Sequence, residues 1–177
     1  MTDNRLNELE NLNKTLQPPR ELGGKFLPEG LPKQYDFMFV AEMPSMKMPK
    51  DWDGKSNYNF GEFDARCRFF REMMVKYGVA GSYVTDIVNK RDAPGKPTKE
   101  EIQQWLPFLL KEIEIIEPKA IIVLGKRTYE RSFKPFIEPL IPKGIRVEYV
   151  FHYSSQVSRN KFEQRFNEII SRIRNNK

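Results

Sequence analysis

Short apolar runs of strand length alternate along this 177-residue chain with segments whose apolar residues recur at helical spacing. The strand-like runs are residues 35–41, 82–88, 119–124 and 145–151. Helical patterns cover residues 3–16, 62–77, 126–132 and 159–175, and a capping box of Thr98 and Glu101 opens a further helix that Pro118 ends. Because strands that alternate with helices form right-handed βαβ units, the pattern predicts an α/β fold. We expect a single domain with a central four-stranded parallel sheet flanked by helices.

The first 34 residues differ in composition from the rest of the chain. Residues 3–16 place leucines near one face of a short helix, and residues 17–34 are rich in proline and glycine, which predicts a connection. We therefore expect an N-terminal helix and a connection over residues 1–34, followed by the α/β domain over residues 35–177. A chain of 21.0 kDa buries about 70 % of its unfolded surface, enough for one core.

The cysteine and histidine content excludes several kinds of site. Cys67 is the single cysteine and His152 the single histidine, so the chain holds no internal disulfide framework, no four-cysteine cluster and no histidine-rich metal site. We expect neither a metal nor another cofactor. No run of eighteen apolar residues is present, and the charged N-terminus lacks the apolar core of a signal peptide, which predicts a soluble intracellular protein.

The net charge is +6, with 30 Lys and Arg against 24 Asp and Glu. Such an excess fits a polyanionic partner, because each phosphate that a protein neutralises releases counterions. It fits an ordinary solvated basic surface equally well, so charge alone leaves both interpretations open.

Loops that carry polar or charged residues begin where each of the four predicted strands ends. Glu42 follows the first strand, Asp86 lies near the end of the second, Gly125 follows the third and His152 follows the fourth. Each has an ordinary structural explanation when taken alone, such as a cap or a buried histidine. In a parallel sheet, however, the carboxyl ends of the strands share one edge, where α/β proteins bind their ligands. The four together predict a site there.

The loop after the third strand, Gly125-Lys126-Arg127, superficially resembles a phosphate-binding loop. The earlier glycine that a Walker-type loop requires is absent, and Ala120 stands in its place. The start of a helix can still receive a phosphate, which keeps a nucleotide-binding α/β protein among the alternatives.

The strand-end motifs resemble those of the uracil-DNA glycosylase superfamily, above all its bacterial and archaeal branch that usually carries an iron–sulfur cluster. The similarity spans about residues 36–160 in the same order, and a long central block is its most specific part. Four stretches carry it: residues 39–45 against Gly-Glu-Ala-Pro-Gly, residues 59–61 against Pro-Phe-Val-Gly, residues 83–125 against the central block, and residues 152–154 against His-Pro-Ser.

This resemblance implies hydrolysis of a base–sugar bond in DNA by a monomer. It implies that Glu42 shapes the base pocket and positions water, that Asp86 stands where an asparagine reads the base edge, and that His152 donates to the departing base. The pocket would further include Phe60, which stacks on the flipped base, with Ala41, Pro44 and Ser154. We expect phosphate contacts from Lys126, Arg127 and Arg159, and secondarily from Lys90 and Arg91. An enzyme of this kind would be cytoplasmic and nucleoid-associated.

The chain departs from the family pattern at several positions. The cluster cysteines are missing, and Lys90 replaces one of them, so no cluster is expected. Tyr153 replaces the proline that follows the histidine. Asp86 replaces the asparagine, and an ionised aspartate only accepts hydrogen bonds. Uracil is then a poor substrate, or Asp86 instead activates water; the sequence leaves both open.

We predict a monofunctional DNA glycosylase that acts in base excision repair. Its substrates would be deaminated bases, with uracil first and hypoxanthine or xanthine next. The resemblance places no lysine as a Schiff-base nucleophile, so no strand-cleaving step is expected. The alternative is a non-catalytic nucleic-acid-binding protein of the same fold.

Overall fold

A computed structural model describes residues 4–16, 23–44, 60, 65–90 and 96–175. Its centre is one five-stranded sheet, with the strands in the order β1-β3-β2-β4-β5. The strands are β1 (Lys25–Leu27), β2 (Phe37–Ala41), β3 (Ser82–Asp86), β4 (Ala120–Leu124) and β5 (Arg146–Val150). Strands β2 to β5 run parallel, which confirms the predicted α/β fold and its four parallel strands.

The fifth strand, β1, lies in the segment for which proline and glycine predict only a connection. It pairs antiparallel with β3 and places Phe26 opposite Tyr83, which makes the sheet mixed. Phe26 and Leu27 are buried, so the strand is held by apolar contacts as well as by its ladder. Three residues are too few to show an alternating pattern, which explains why sequence periodicity does not reveal this strand.

Three long helices cover the sheet together with a series of short helical turns. The predicted capping box is present at the start of the longest: the Glu101 amide donates to Thr98 Oγ1 (3.2 Å), and the Thr98 amide donates to Glu101 Oε2 (2.9 Å). The single helix predicted over residues 126–132 is a short α-helix followed by a π-helical turn. The elements are α1 (Asn4–Asn13), α2 (Ala65–Lys76), α3 (Lys99–Ile116), α4 (Lys126–Thr128), the π-helical turn (Tyr129–Phe133), α5 (Lys134–Phe136), a 3₁₀ turn (Glu138–Leu140) and α6 (Arg159–Asn175).

The two faces of the sheet bury separate apolar cores. Phe39 packs against Phe70 of α2 and Phe166 of α6, whereas Val40, on the opposite face, packs in the core that includes Leu109 of α3. Side chains alternate between the faces of a strand, so covering both faces requires apolar residues throughout, as the central strands show. Among the described helices none is long and apolar enough to cross a membrane.

An ionisable side chain, Glu112, lies inside the second core. Glu112 of α3 is fully buried, and its Oε1 accepts hydrogen bonds from the Tyr83 hydroxyl (2.7 Å) and the Thr85 hydroxyl (3.0 Å). Burial raises the pKa of Glu112 to about 8, and the nearby Asp86 adds to this rise. At neutral pH this carboxyl is therefore mainly protonated in the native protein.

Candidate active site

The carboxyl ends of the parallel strands carry the polar residues that the sequence singles out. Backbone bonds join the first two loops: the Ile87 amide donates to the Ala41 carbonyl (2.9 Å), and the Val88 amide donates to the Glu42 carbonyl (3.1 Å). Ala41 also pairs in register with Asp86. The start of the first loop and the end of β3 are therefore held at fixed positions side by side.

A hydrogen bond from the π-helical turn, which packs on one face of the sheet, holds the Glu42 side chain. Its Oε1 accepts a hydrogen bond from the buried Ser132 hydroxyl of that turn (3.2 Å). Pro44, two residues later, is buried. These contacts fix the direction in which the loop leaves β2.

Asp86 is buried at the end of β3, with 1 % of its surface exposed. It lies two residues beyond Val84 and therefore on the same face of the sheet as the core of Phe39 and Phe60. Phe60 is 4 % exposed and left-handed (φ 57°), and its carbonyl accepts a hydrogen bond from Arg71 Nη1 (3.1 Å). A buried carboxylate and an aromatic ring thus lie in one layer.

His152 follows β5, and its imidazole has a defined tautomer. The Ser154 backbone amide donates to Nδ1 (3.1 Å), and the Ser154 hydroxyl lies 2.7 Å from the same nitrogen. Because a backbone N–H can only donate, Nδ1 is an acceptor, and the proton of the neutral ring is on Nε2. Burial and the positive charge of Arg66 lower the pKa of His152 to about 4. At neutral pH the ring is therefore an uncharged donor.

Aromatic stacking fixes the plane of that ring. Tyr153 stacks on His152 with ring centroids 4.5 Å apart, and on Phe70 of α2 at 5.2 Å. The residue that replaces the family's proline therefore connects the histidine to the core.

A cavity of about 310 Å³ opens beside His152 between α2 and α6. Arg66 and Arg159 are among the residues that line it, with the Ser155 and Tyr153 side chains. Arg66 belongs to none of the motifs that the sequence shows, and only its position in the fold brings it next to the histidine. Within the described ranges no three His, Cys, Asp or Glu side chains are placed to hold a metal ion.

The arrangement across this edge follows from the strand order. Asp86, Glu42, Gly125 and His152 lie at the carboxyl ends of the adjacent strands β3, β2, β4 and β5. Three inter-strand spacings, roughly 14 Å in all, therefore separate the strand ends that carry Asp86 and His152. Residues 28–174 match the family model of the Uracil DNA glycosylase superfamily. The chain belongs to the uracil-DNA glycosylase superfamily. A search of curated proteins finds none that matches it.

The match to the uracil-DNA glycosylase family model begins directly after β1. Helix α1 and strand β1 precede the matched residues in the chain and pack against them nonetheless: Arg5 of α1 pairs with Glu117 (2.9 Å), and β1 pairs with β3, which places Phe26 opposite Tyr83. Helix α1 therefore lies on the α3 side of the sheet.

The cations expected to contact phosphate in a uracil-DNA glycosylase lie in different settings. Lys90 pairs with Glu101 of the capping box (2.9 Å), and Lys126 lies 3.6 Å from Glu130. Arg127 is exposed, and Arg159 lies over the Phe69 ring at 5.0 Å. Of these only Arg159 lines the cavity beside His152, while Arg91 falls outside the described residues.

Gly125 lies where the end of β4 approaches the histidine, and its replacement by alanine is expected to place a methyl group against Thr128 and His152. Gly125 has φ 115°, and an added Cβ would lie 3.1 Å from Thr128 Oγ1 and 3.4 Å from His152 Cβ. The backbone strain should cost about 1–3 kcal/mol of unfolding free energy. Gly144→Ala is the matched control, because Gly144 has φ 101° with open space around its Cβ position. Urea denaturation should show similar losses for both variants, while the His152 ring resonances should shift only in Gly125→Ala. Equal shifts would contradict the contact.

Proposed function

We propose that this chain is a monofunctional DNA glycosylase that hydrolyses the bond between a flipped, deaminated base and its sugar, acting on DNA as a monomer. The observation that carries the proposal is the uncharged His152, whose Nε2–H donor is fixed by Ser154 in a domain of this superfamily. The buried Asp86 carboxylate at the same edge of the sheet supports it.

The chemistry begins with extrusion of the nucleotide, which costs a few kcal/mol and is offset in part by stacking of the base on Phe60. The C1′–N bond then breaks, the base leaves with the electron pair, and the oxygen of a water molecule bonds to C1′. The proton released by that water balances the charge of the departing base.

The two ends of the site suit the two charges that develop in this reaction. Negative charge grows on the base, where the Nε2–H of His152 donates to a base oxygen. Positive charge grows on the sugar, where the carboxylates of Asp86 and Glu42 favour it and orient water. A histidine held neutral acts as a donor without forming an ion pair with those carboxylates.

Asp86 determines which base is accepted if it reads the base edge. An ionised aspartate accepts from an N–H group but repels a carbonyl oxygen such as uracil O4. Asp86→Asn restores an amide that both donates and accepts, and we expect it to raise kcat/KM for uracil about 10–100-fold, the effect of satisfying one buried polar group. Steady-state release of uracil from single-lesion oligonucleotides measures this. If Asp86 instead activates water, the variant loses release of every base.

The proposal is tested with labelled oligonucleotides that carry uracil, hypoxanthine, xanthine, a G·T mismatch or only normal bases. Mass spectrometry of the small-molecule fraction detects free base, and the strand should remain intact until it is treated with alkali. Release from one lesion and not from normal DNA supports the proposal. Salt-sensitive binding to all members without release would instead indicate a non-catalytic nucleic-acid-binding protein.

A further inference from the structure

We infer that the cavity between α2 and α6 is a phosphate site, formed by Arg66 and Arg159, that holds a backbone phosphodiester next to the flipped nucleotide. The inference rests on the proposed function only for the statement that the phosphate belongs to DNA. Neither arginine takes part in the base chemistry described above, and Arg66 belongs to no family motif in the sequence.

The lining of the cavity has the charge of an anion site. Two guanidinium groups reach it from different helices, Arg66 from the first turn of α2 and Arg159 from the start of α6. The other described residues that line it are apolar, aromatic or neutral, and none of them is acidic. An anion there would meet two positive charges with the hydroxyl of Ser155, and the planar guanidinium group matches phosphate oxygens in pairs.

Arg159 is held in place before any ligand arrives. Its guanidinium carbon lies 5.0 Å from the centroid of the Phe69 ring, and Phe69 packs edge-on against Phe162 at 5.4 Å. A guanidinium group that is already ordered loses less entropy when it binds. The positive charge of Arg159 does not stabilise helix α6, because a cation in the first turn of a helix interacts unfavourably with the helix dipole.

The position of the cavity relative to His152 favours a phosphate over the base as its occupant. His152 lines the cavity, and Arg66 is close enough to lower the pKa of the ring. Phe60, the aromatic ring suited to stacking on a base, lies in the core layer on the Phe39 face of the sheet and does not line this cavity. A nucleotide whose base meets His152 from that layer would bring an adjacent phosphate towards the arginines.

The test compares the salt dependence of binding in Arg66→Ala, Arg159→Ala and a control, Arg68→Ala. Arg68 is an exposed residue of the same helix that lines a separate groove. The probe is a fluorescent duplex with one 2′-fluoro-deoxyuridine, which resists cleavage. The logarithm of the binding constant falls linearly with the logarithm of the salt concentration. Each cavity variant should make this fall shallower, reducing the magnitude of the slope by about 1, while Arg68→Ala keeps the wild-type slope.

A second arm locates the phosphate. Single neutral methylphosphonates are placed at each position around the lesion, and one of them should weaken binding of the wild type but not of Arg66→Ala. Arg66→Lys, which keeps the charge, should recover part of the slope and so separates loss of contact from misfolding. Melting temperatures check that each variant is folded.

Two results would overturn the inference. One is a salt dependence of binding in Arg66→Ala and Arg159→Ala that is as steep as that of Arg68→Ala. The other is an unchanged slope together with an Arg66-dependent rise in melting temperature on addition of a free nucleoside monophosphate, which would assign the cavity to a free nucleotide. If the wild type releases no base but the Arg66-dependent slope is present, the glycosylase proposal fails and the phosphate site stands.

Discussion

Replacement of His152 by alanine is expected to slow base release about 10²–10³-fold, the effect of removing one preorganised donor to a developing oxyanion. The binding affinity for DNA should remain close to that of the wild type, because the donor acts on charge that appears only as the bond breaks. Single-turnover release from the preferred lesion, with binding to the uncleavable 2′-fluoro probe measured in parallel, separates the two quantities.

The orientation of the ring supplies the control for this prediction. In Ser154→Ala the backbone amide that fixes Nδ1 is retained and only the hydroxyl at 2.7 Å is lost, so release should fall much less than in His152→Ala. Because the pKa of His152 is lowered to about 4, the ring stays neutral from pH 5 upwards and its protonation should not limit the rate there. Equal losses of release and binding in His152→Ala would contradict the role of the histidine.

The second large effect concerns stability, and it originates at Glu112. The pKa of this buried carboxyl is raised from an ordinary 4.5 to about 8, so between these values the unfolded chain gives up a proton that the native protein keeps. Linkage then requires the free energy of unfolding to fall as pH rises, by about 1 kcal/mol per pH unit and several kcal/mol in all. The contribution is fully present below pH 4.5 and is lost above about pH 8.

Glu112→Gln should remove this pH dependence while the amide oxygen still accepts from Tyr83 and Thr85. Glu112→Ala leaves both hydroxyls without this acceptor and should cost about 1–3 kcal/mol for each. Glu114→Gln, an exposed position on the same helix, is the control and should keep the wild-type slope. Urea denaturation from pH 5 to pH 8 gives the slopes. A wild-type slope in Glu112→Gln would show that Glu112 is not the group responsible.

Elements with a strong local signal could be predicted from the sequence. The Thr98–Glu101 capping box and the apolar run of β4 specify their structures through adjacent residues alone, and both are present. Strand β1 has three residues and depends on its pairing with β3, so no periodicity reveals it. The π-helical turn keeps a nearly helical pattern, so the sequence predicts a helix over residues 126–132 but does not distinguish its π-helical part.

The same division holds for the candidate site. That His152 lies at a strand end follows from the order of apolar runs along the chain. Its neutral state does not, because it depends on burial, on Ser154 and on a positive charge from α2, which are brought together only by the fold. Arg66 lies outside every motif for the same reason.

The most direct measurement is mass spectrometry of both products, the released base and the remaining DNA strand, after the wild type has acted on lesion-bearing DNA in water labelled with heavy oxygen. The account predicts free base without label and an intact strand whose new abasic site carries one labelled oxygen at C1′, with the signal lost in His152→Ala. Binding to the same DNA with no base released from any lesion would contradict it.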